Sequence, residues 1–154
     1  MKRILFFLTL VFAVLTKVHA ESNVYVFVKG MYNCDITIAV NGTEVCDLNG
    51  SVAKTMDVYG GGTMTKRESC YRKIVVNGEG KIVLTGTMLY TVPTTGNVNP
   101  YKGEISLDIE DGETYYLQLT SKGIHDMQIK EVKPKDAKKR EQKWQNLGDV
   151  NFNL

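Results

Sequence analysis

The chain has 154 residues, 43% of them hydrophobic and 23% charged, and a formal net charge of +2 at neutral pH. That length suits one domain with a core large enough to stand without disulfide or metal staples. Three cysteines, Cys34, Cys46 and Cys70, are too few for a disulfide scaffold, match no zinc-binding spacing, and leave at least one thiol unpaired within the chain.

The chain opens with a leader pattern. Lys2 and Arg3 form a basic start, Ile4 to Leu15 an apolar run of secretory length, and Val18-His19-Ala20 a small-residue cleavage site. The run is too short to span a bilayer comfortably, and no later segment approaches the ~20 apolar residues needed. Residues 1–20 are therefore expected to be a signal peptide cleaved after Ala20, leaving an exported periplasmic or extracellular protein. No cysteine follows the run, so no lipoprotein attachment site is expected. Loss of the leader's three basic residues takes the formal charge from +2 to −1. That charge is unevenly placed: residues 21–132 hold ten basic and fourteen acidic residues, residues 133–154 six basic and three acidic.

Residues 21–132 read as strands. Segments rich in β-branched and aromatic residues run over Val24–Val28, Ile36–Val40, Ile74–Val76, Lys81–Leu89, Ile105–Ile109, Tyr115–Leu119 and Met127–Val132. Turn signals separate them at Asn41-Gly42, Asn49-Gly50, Asn77-Gly78, Asp111-Gly112 and the Pro93–Pro100 stretch. Strands at this spacing without amphipathic helices between them argue for an all-β antiparallel sandwich or barrel and against alternating α/β units, and the sandwich is the fold expected.

Two turns carry register expectations. A three-residue loop Glu110-Asp111-Gly112 pairs Leu107 with Tyr115 and Ile105 with Leu117, avoids setting Glu110 opposite Glu113, and turns Tyr115 inward and Tyr116 outward. The same rule at Val40-Asn41-Gly42 sets Ile36 opposite Cys46 and Cys34 opposite Leu48. The two cysteines then share the inward face as diagonal neighbours, a poor arrangement for a disulfide and an ordinary one for buried thiols. Between the strands, Tyr59-Gly60-Gly61-Gly62-Thr63 reads as a flexible loop at one end of the sandwich. After Val132, Pro134, an early Asp136, and Ala137, Trp144 and Leu147 at helical spacing predict a basic C-terminal helix and tail over residues 133–154, with Trp144 as its docking anchor.

No catalytic, cofactor-binding or metal-ligating residues are predicted. After cleavage His125 is the one histidine of the mature chain, and nothing in the spacing places a cysteine beside it. The glycines of 60–62, followed by Lys66 and Arg67, lack the Gly-Lys-Ser/Thr ending and the following helix that a phosphate loop requires. Glu110, Asp111 and Glu113 read as a solvated turn rather than an acid–base pair. Asn41-Gly42-Thr43 and Asn49-Gly50-Ser51 fit the N-glycosylation pattern but serve equally as turns, and the bacterial character of the leader favours turns. Lys133, Lys135, Lys138, Lys139, Arg140 and Lys143 form a basic segment for which weak contact with an anionic membrane surface is an open reading beside simple solvation; nucleic acid is not an expected partner of an exported chain.

The stretches "VYVFVKG", "DITIAVNGTEVCDLNG" and "ISLDIEDGETYYLQLTSKG", followed by "DMQIKEV" and a charged helix, resemble small bacterial envelope proteins of unknown function. The resemblance follows the order of elements over most of residues 23–147. It implies an immunoglobulin-like or transthyretin-like sandwich of the carboxypeptidase-regulatory kind, and brings no catalytic residues. This chain departs from that pattern in its missing lipoprotein cysteine and in its long glycine-rich insertion from Val58 to Arg72. The expected function is thus that of a non-enzymatic, exported module of the bacterial envelope binding another envelope protein or glycan. The alternative is a secreted inhibitor or adhesin presenting loops 59–67 and 91–101 to a target protein or glycan.

Overall fold

The computed structural model describes residues 20–121 and 126–154. Residues 1–19 of the expected leader, and His125, lie outside the described residues. The described chain forms an all-β sandwich with one short C-terminal helix. Its strands are β1 (Ser22–Val28), β2 (Cys34–Val40), β3 (Thr43–Asp47), β4 (Val52–Asp57), β5 (Thr63–Arg67), β6 (Cys70–Asn77), β7 (Gly80–Thr91), β8 (Val98–Ile109), β9 (Thr114–Ser121), β10 (Met127–Glu131) and β11 (Gln145–Asn153), with α1 (Pro134–Glu141) between the last two.

A five-stranded sheet in the order β10-β9-β1-β6-β11 faces a four-stranded sheet in the order β3-β2-β7-β8, and β4 and β5 form a separate ribbon. The alternation that marked the strands builds the interior. Val24, Val26 and Val28 from β1, Ile74 and Val76 from β6, and Leu117 and Leu119 from β9 meet Ile36, Ile38 and Val40 from β2 and Ile82, Leu84 and Met88 from β7, all buried. Pairing is antiparallel throughout the described strands except between β1 and β9 and between β6 and β11, which are parallel.

β7 and β8 pair Gly86 with Gly103 at a point of tight contact with the opposite sheet. A Cβ on Gly103 would lie 2.6 Å from the carbonyl oxygen of Met127 on β10, and one on Gly86 2.7 Å from a methyl carbon of Leu119. The absence of side chains there lets β8 lie against the edge of the opposite sheet.

β1 is apolar on its other face as well. Tyr25 and Phe27 point out of the sandwich, joined by Tyr71 of β6 and Tyr116 of β9. The Tyr25 and Tyr116 rings lie 5.3 Å apart, as do those of Phe27 and Tyr71. α1 covers this cluster with buried Ala137, and Trp144 sets its ring edge-on to Phe27 at 6.0 Å. Trp144 is thus the anchor the sequence predicts. Arg140 is drawn in with it, its guanidinium 5.5 Å from the Trp144 ring and 6.0 Å from Phe27. That removes Arg140 from the basic surface to which its sequence neighbours belong.

Several local expectations are corrected. Glu110-Asp111-Gly112 does not close a hairpin: β8 pairs with β7, while β9 crosses to the other sheet between β1 and β10, so Leu107 pairs with Ile82 and Tyr115 with Val24. The local turn is the expected one, with Gly112 at φ +76° and the Glu113 N–H donating to the Glu110 carbonyl, but such a turn serves a crossing between sheets as well as a hairpin. Tyr115 does pack inward and Tyr116 outward. The Tyr115 hydroxyl donates to the Asp108 carbonyl at 2.7 Å and accepts from the Glu110 N–H at 3.0 Å, satisfying backbone groups where β8 ends. Ser22 reinforces the crossing through its hydroxyl, 2.6 Å from the Glu110 carbonyl.

At Asn41-Gly42 the loop has two residues and a bulge follows, so Ile38 rather than Ile36 faces Cys46, while the Leu48 N–H reaches the Ile36 carbonyl. Positive φ at both Asn41 and Gly42 is the geometry of a two-residue turn, and the extra residue is absorbed one step later. The three cysteines are free thiols, Cys34 and Cys70 buried and Cys46 half-buried. The C-terminal helix stops at Glu141. From Gln145 the chain forms the edge strand β11, and the Leu154 N–H donates to the Asn77 carbonyl.

Replacing Gly103 with alanine is expected to destabilise the fold by about 1–3 kcal/mol, because the methyl group meets backbone that must shift. A lowered midpoint in urea unfolding at unchanged slope checks this.

Candidate functional site

The glycine-rich segment, expected as a loop at one end of the sandwich, is the turn of the β4–β5 ribbon. The ribbon stands at the end of the sandwich where β7 and β8 turn back, and Asn33 ties it there. Asn33 lies between Tyr32 and β2 at φ +49°, a left-handed conformation that asparagine tolerates better than most residues. Its N–H donates to the Thr65 carbonyl at 2.8 Å, and its side-chain oxygen accepts from the Thr65 N–H at 2.6 Å. Its side-chain NH2 donates to the carbonyls of Thr91 at 3.2 Å and Thr63 at 3.3 Å, and its own carbonyl accepts from the Thr91 N–H at 2.9 Å. One amide side chain thus acts as a length of backbone joining β5 to the end of β7.

Further contacts fix the ribbon. The Arg67 guanidinium pairs with Asp35 at 2.6 Å and donates to the Gly50 carbonyl at 3.2 Å. The Lys66 ammonium sits 5.6 Å from the centre of the Tyr32 ring. Ser51 exchanges two hydrogen bonds with the Gln145 side chain, at 2.8 and 2.9 Å. At the tip, Gly62 has φ +94° and packs so closely on Pro93 that a Cβ there would collide with the Pro93 carbonyl. Segments 59–67 and 91–101 therefore form one continuous surface, with Tyr59 fully exposed at its tip.

Between the ribbon and the β7–β8 turn lies a cleft of about 310 Å³, lined by Asn33, Asp35, Thr63, Thr65, Arg67, Thr91 and Pro93, with Cys34 at its floor. A second hollow of about 250 Å³, which Cys34 also lines, is bounded by Met31, Tyr32, Met88, Tyr90 and Tyr101. The first offers hydroxyls, a carboxylate and a guanidinium; the second offers aromatic and thioether surface. Together they can hold a ligand with polar and apolar parts.

The cleft's thiol is poorly suited to nucleophilic chemistry. Burial, and then the adjacent Asp35 charge, push the Cys34 thiol up to about 11, and its hydrogen bond goes to the Tyr32 carbonyl at 3.1 Å. Burial likewise raises Cys46 and Cys70 to about 11. No group of three or more histidine, cysteine or carboxylate side chains among the described residues could hold a metal ion. Glu110, Asp111 and Glu113 lie on the inter-sheet turn at the opposite end of the β7–β8 hairpin, away from the cleft. Gly60–Gly62 stand between two strands, with no helix following to face a phosphate. Lys133, Lys135, Lys138, Lys139 and Lys143 are exposed on and around α1, and none lines the cleft. No helix among the described residues is long and apolar enough to cross a membrane.

No protein-family model, curated protein or solved structure matches the chain.

Two outcomes follow from this chemistry. Asn33→Asp keeps the acceptor for the Thr65 N–H but sets a carboxylate against the Thr63 and Thr91 carbonyls. It is expected to cost about 1–3 kcal/mol and to raise amide exchange selectively in β4 and β5, as hydrogen-exchange mass spectrometry would show. The second concerns pH. Cys34, Cys46, Cys70, Tyr25, Tyr71 and Tyr116 are raised mainly by burial, and Lys73 by its hydrogen bond to Asp149. A group with a raised folded-state pKa holds its proton longer in the native state, so its contribution is complete below the unfolded value and is lost as pH climbs through the folded one. For the thiols that window runs from 9.0 to about 11. The thermal midpoint is expected to fall over that range; a midpoint unchanged to pH 11 would contradict it.

Proposed function

We propose that the chain is a non-enzymatic, exported binding module of the bacterial envelope, which engages another envelope component, protein or glycan, through the end built from the β4–β5 ribbon and the β7–β8 turn. The observation that carries this reading is the Asn33 junction. A ribbon with no fully buried residue in either strand is held against a second loop by side-chain–backbone bonds and a glycine-mediated contact, and the result is a preformed cleft. Preorganised loops on a rigid sandwich spend little free energy on ordering when a partner binds. Export rests on the leader pattern of residues 1–20, and envelope membership on the resemblance of the strand segments to small envelope proteins. The non-catalytic assignment rests on thiols held protonated by burial, on the cleft's one carboxylate, Asp35, being paired with Arg67, and on Glu110, Asp111 and Glu113 lying at the opposite end of the β7–β8 hairpin.

A narrower version, a secreted inhibitor or adhesin that inserts the ribbon tip into its target, draws support from Tyr59. A fully exposed tyrosine on a short turn is an amphipathic anchor of the kind that dominates binding surfaces.

Photo-crosslinking residues introduced at Tyr59 and Thr95 are expected to capture the same envelope component in cells, and one at Glu113, at the far end, to capture none. Capture of that component from Glu113 alone would overturn the assignment of the binding end. Recovery of a cytoplasmic component at all three positions would overturn the compartment.

A further inference from the structure

The two outer faces of the sandwich carry opposite charge. Alternation along β2, β3, β7 and β8 sends Asp35, Glu44, Asp47, Glu104 and Asp108 outward from the four-stranded sheet, with only Lys81 and Lys102 among them. Arg67 and Arg72 reach Asp35 and Asp47 from neighbouring strands. The side bearing α1 is the reverse. Lys135, Lys138 and Lys139 lie one helical turn apart on the face of α1 away from the sheet, Lys133 and Lys143 flank the helix, and Lys130 points outward from β10. All six are exposed, and none has an ion pair among the described residues. The acids on this side include Asp136 in the first turn of α1, Glu131 at the end of β10, Asp149 of β11, which pairs with Lys73, and Glu141. Glu141 is half-buried on the sheet side of the helix, where its charge acts on Tyr25, Tyr71 and Tyr116.

From this segregation we infer that the α1 side docks on an anionic lipid bilayer surface, with the acidic sheet turned away. Three features select that partner. The cations are lysines, compact point charges suited to a diffuse field of headgroups; the one arginine of the helix, whose planar fork would favour paired phosphate, sulfate or carboxylate groups of a polymer, is turned inward onto Phe27 and Trp144. The apolar groups of this segment, Ala137 of the helix and Trp144 just beyond it, are already spent on the aromatic cluster, so binding is peripheral and electrostatic rather than insertional. The charge asymmetry of the two faces supplies an orienting torque as well as attraction. This inference concerns a surface separate from the ribbon end and stands or falls independently of the partner that end recognises.

The test is co-sedimentation of the purified full chain with vesicles of phosphatidylglycerol mixed with phosphatidylcholine, with pure phosphatidylcholine vesicles and a sulfated polysaccharide resin as further arms. Binding to the anionic vesicles is expected, with weakening as salt is raised. Substituting Lys135, Lys138 and Lys139 with glutamine is expected to lower the partition coefficient on the order of a hundredfold, with an unchanged melting midpoint because all three are exposed. Substituting Lys81 and Lys102 on the opposite face is expected to leave it unchanged. No binding to anionic vesicles, equal binding to neutral ones, an equal loss from the opposite-face variant, or lysine-dependent retention on the polysaccharide alone would each overturn the inference.

Discussion

β1 is apolar on both of its faces, and the layers of the molecule follow from the need to cover both. Val24, Val26 and Val28 require an opposing sheet, while Tyr25 and Phe27 require cover on the other side. Side chains of this size are each stabilised by about 1.5–3 kcal/mol on full burial, so neither face can be left to water. Antiparallel β6 and parallel β9 flank β1 on its two edges, which makes it the middle strand of its sheet and the natural seat for α1. A strand in that position is the point from which both the sandwich and the helix layer are specified.

Much of this was legible in the sequence because period-two alternation survives wherever one face is buried. Ile36, Ile38 and Val40, or Ile82 and Leu84, announce both a strand and its inward face. What alternation cannot announce is the identity of a neighbour. The Asp111-Gly112 turn bends the chain in the same way whether the next strand pairs beside the last or crosses to the other sheet, and that choice was made by β1, about ninety residues earlier. The misreading of β11 has a similar origin. Leu147 and Val150 both pack on the core although they are three apart, because a bulge between Asn146 and Asp149 breaks the alternation. The expected stripe of Ala137, Trp144 and Leu147 therefore runs from a helix, through the bend that follows it, into a strand.

The candidate site was legible in its parts and hidden in its assembly. The two loops could be marked as loops, but β4 and β5 could not be marked as strands, since "VAKTMD" and "TMTKR" are mostly polar and the ribbon buries little of either face. What holds them is the fit of a single asparagine to carbonyls about thirty and sixty residues further along, together with a glycine where only a hydrogen can face Pro93. Neither has a local signature. An asparagine beside a strand is usually a turn residue, and only the coordinates distinguish one that closes a local turn from one that joins two distant loops.

The placement of β11 also bears on how the chain reaches its folded form. The last nine strand residues close the edge of the five-stranded sheet beside β6, and Gln145 locks Ser51 at the base of the ribbon. An elongating chain cannot complete either arrangement until residues 145–153 have emerged. β1, the earliest in the chain of the described strands, must likewise wait for β9. The fold is dominated by pairings distant in sequence, so its early strands spend the period of emergence with open edges and exposed aliphatic faces, the state in which a nascent sheet protein is most prone to wrong partners.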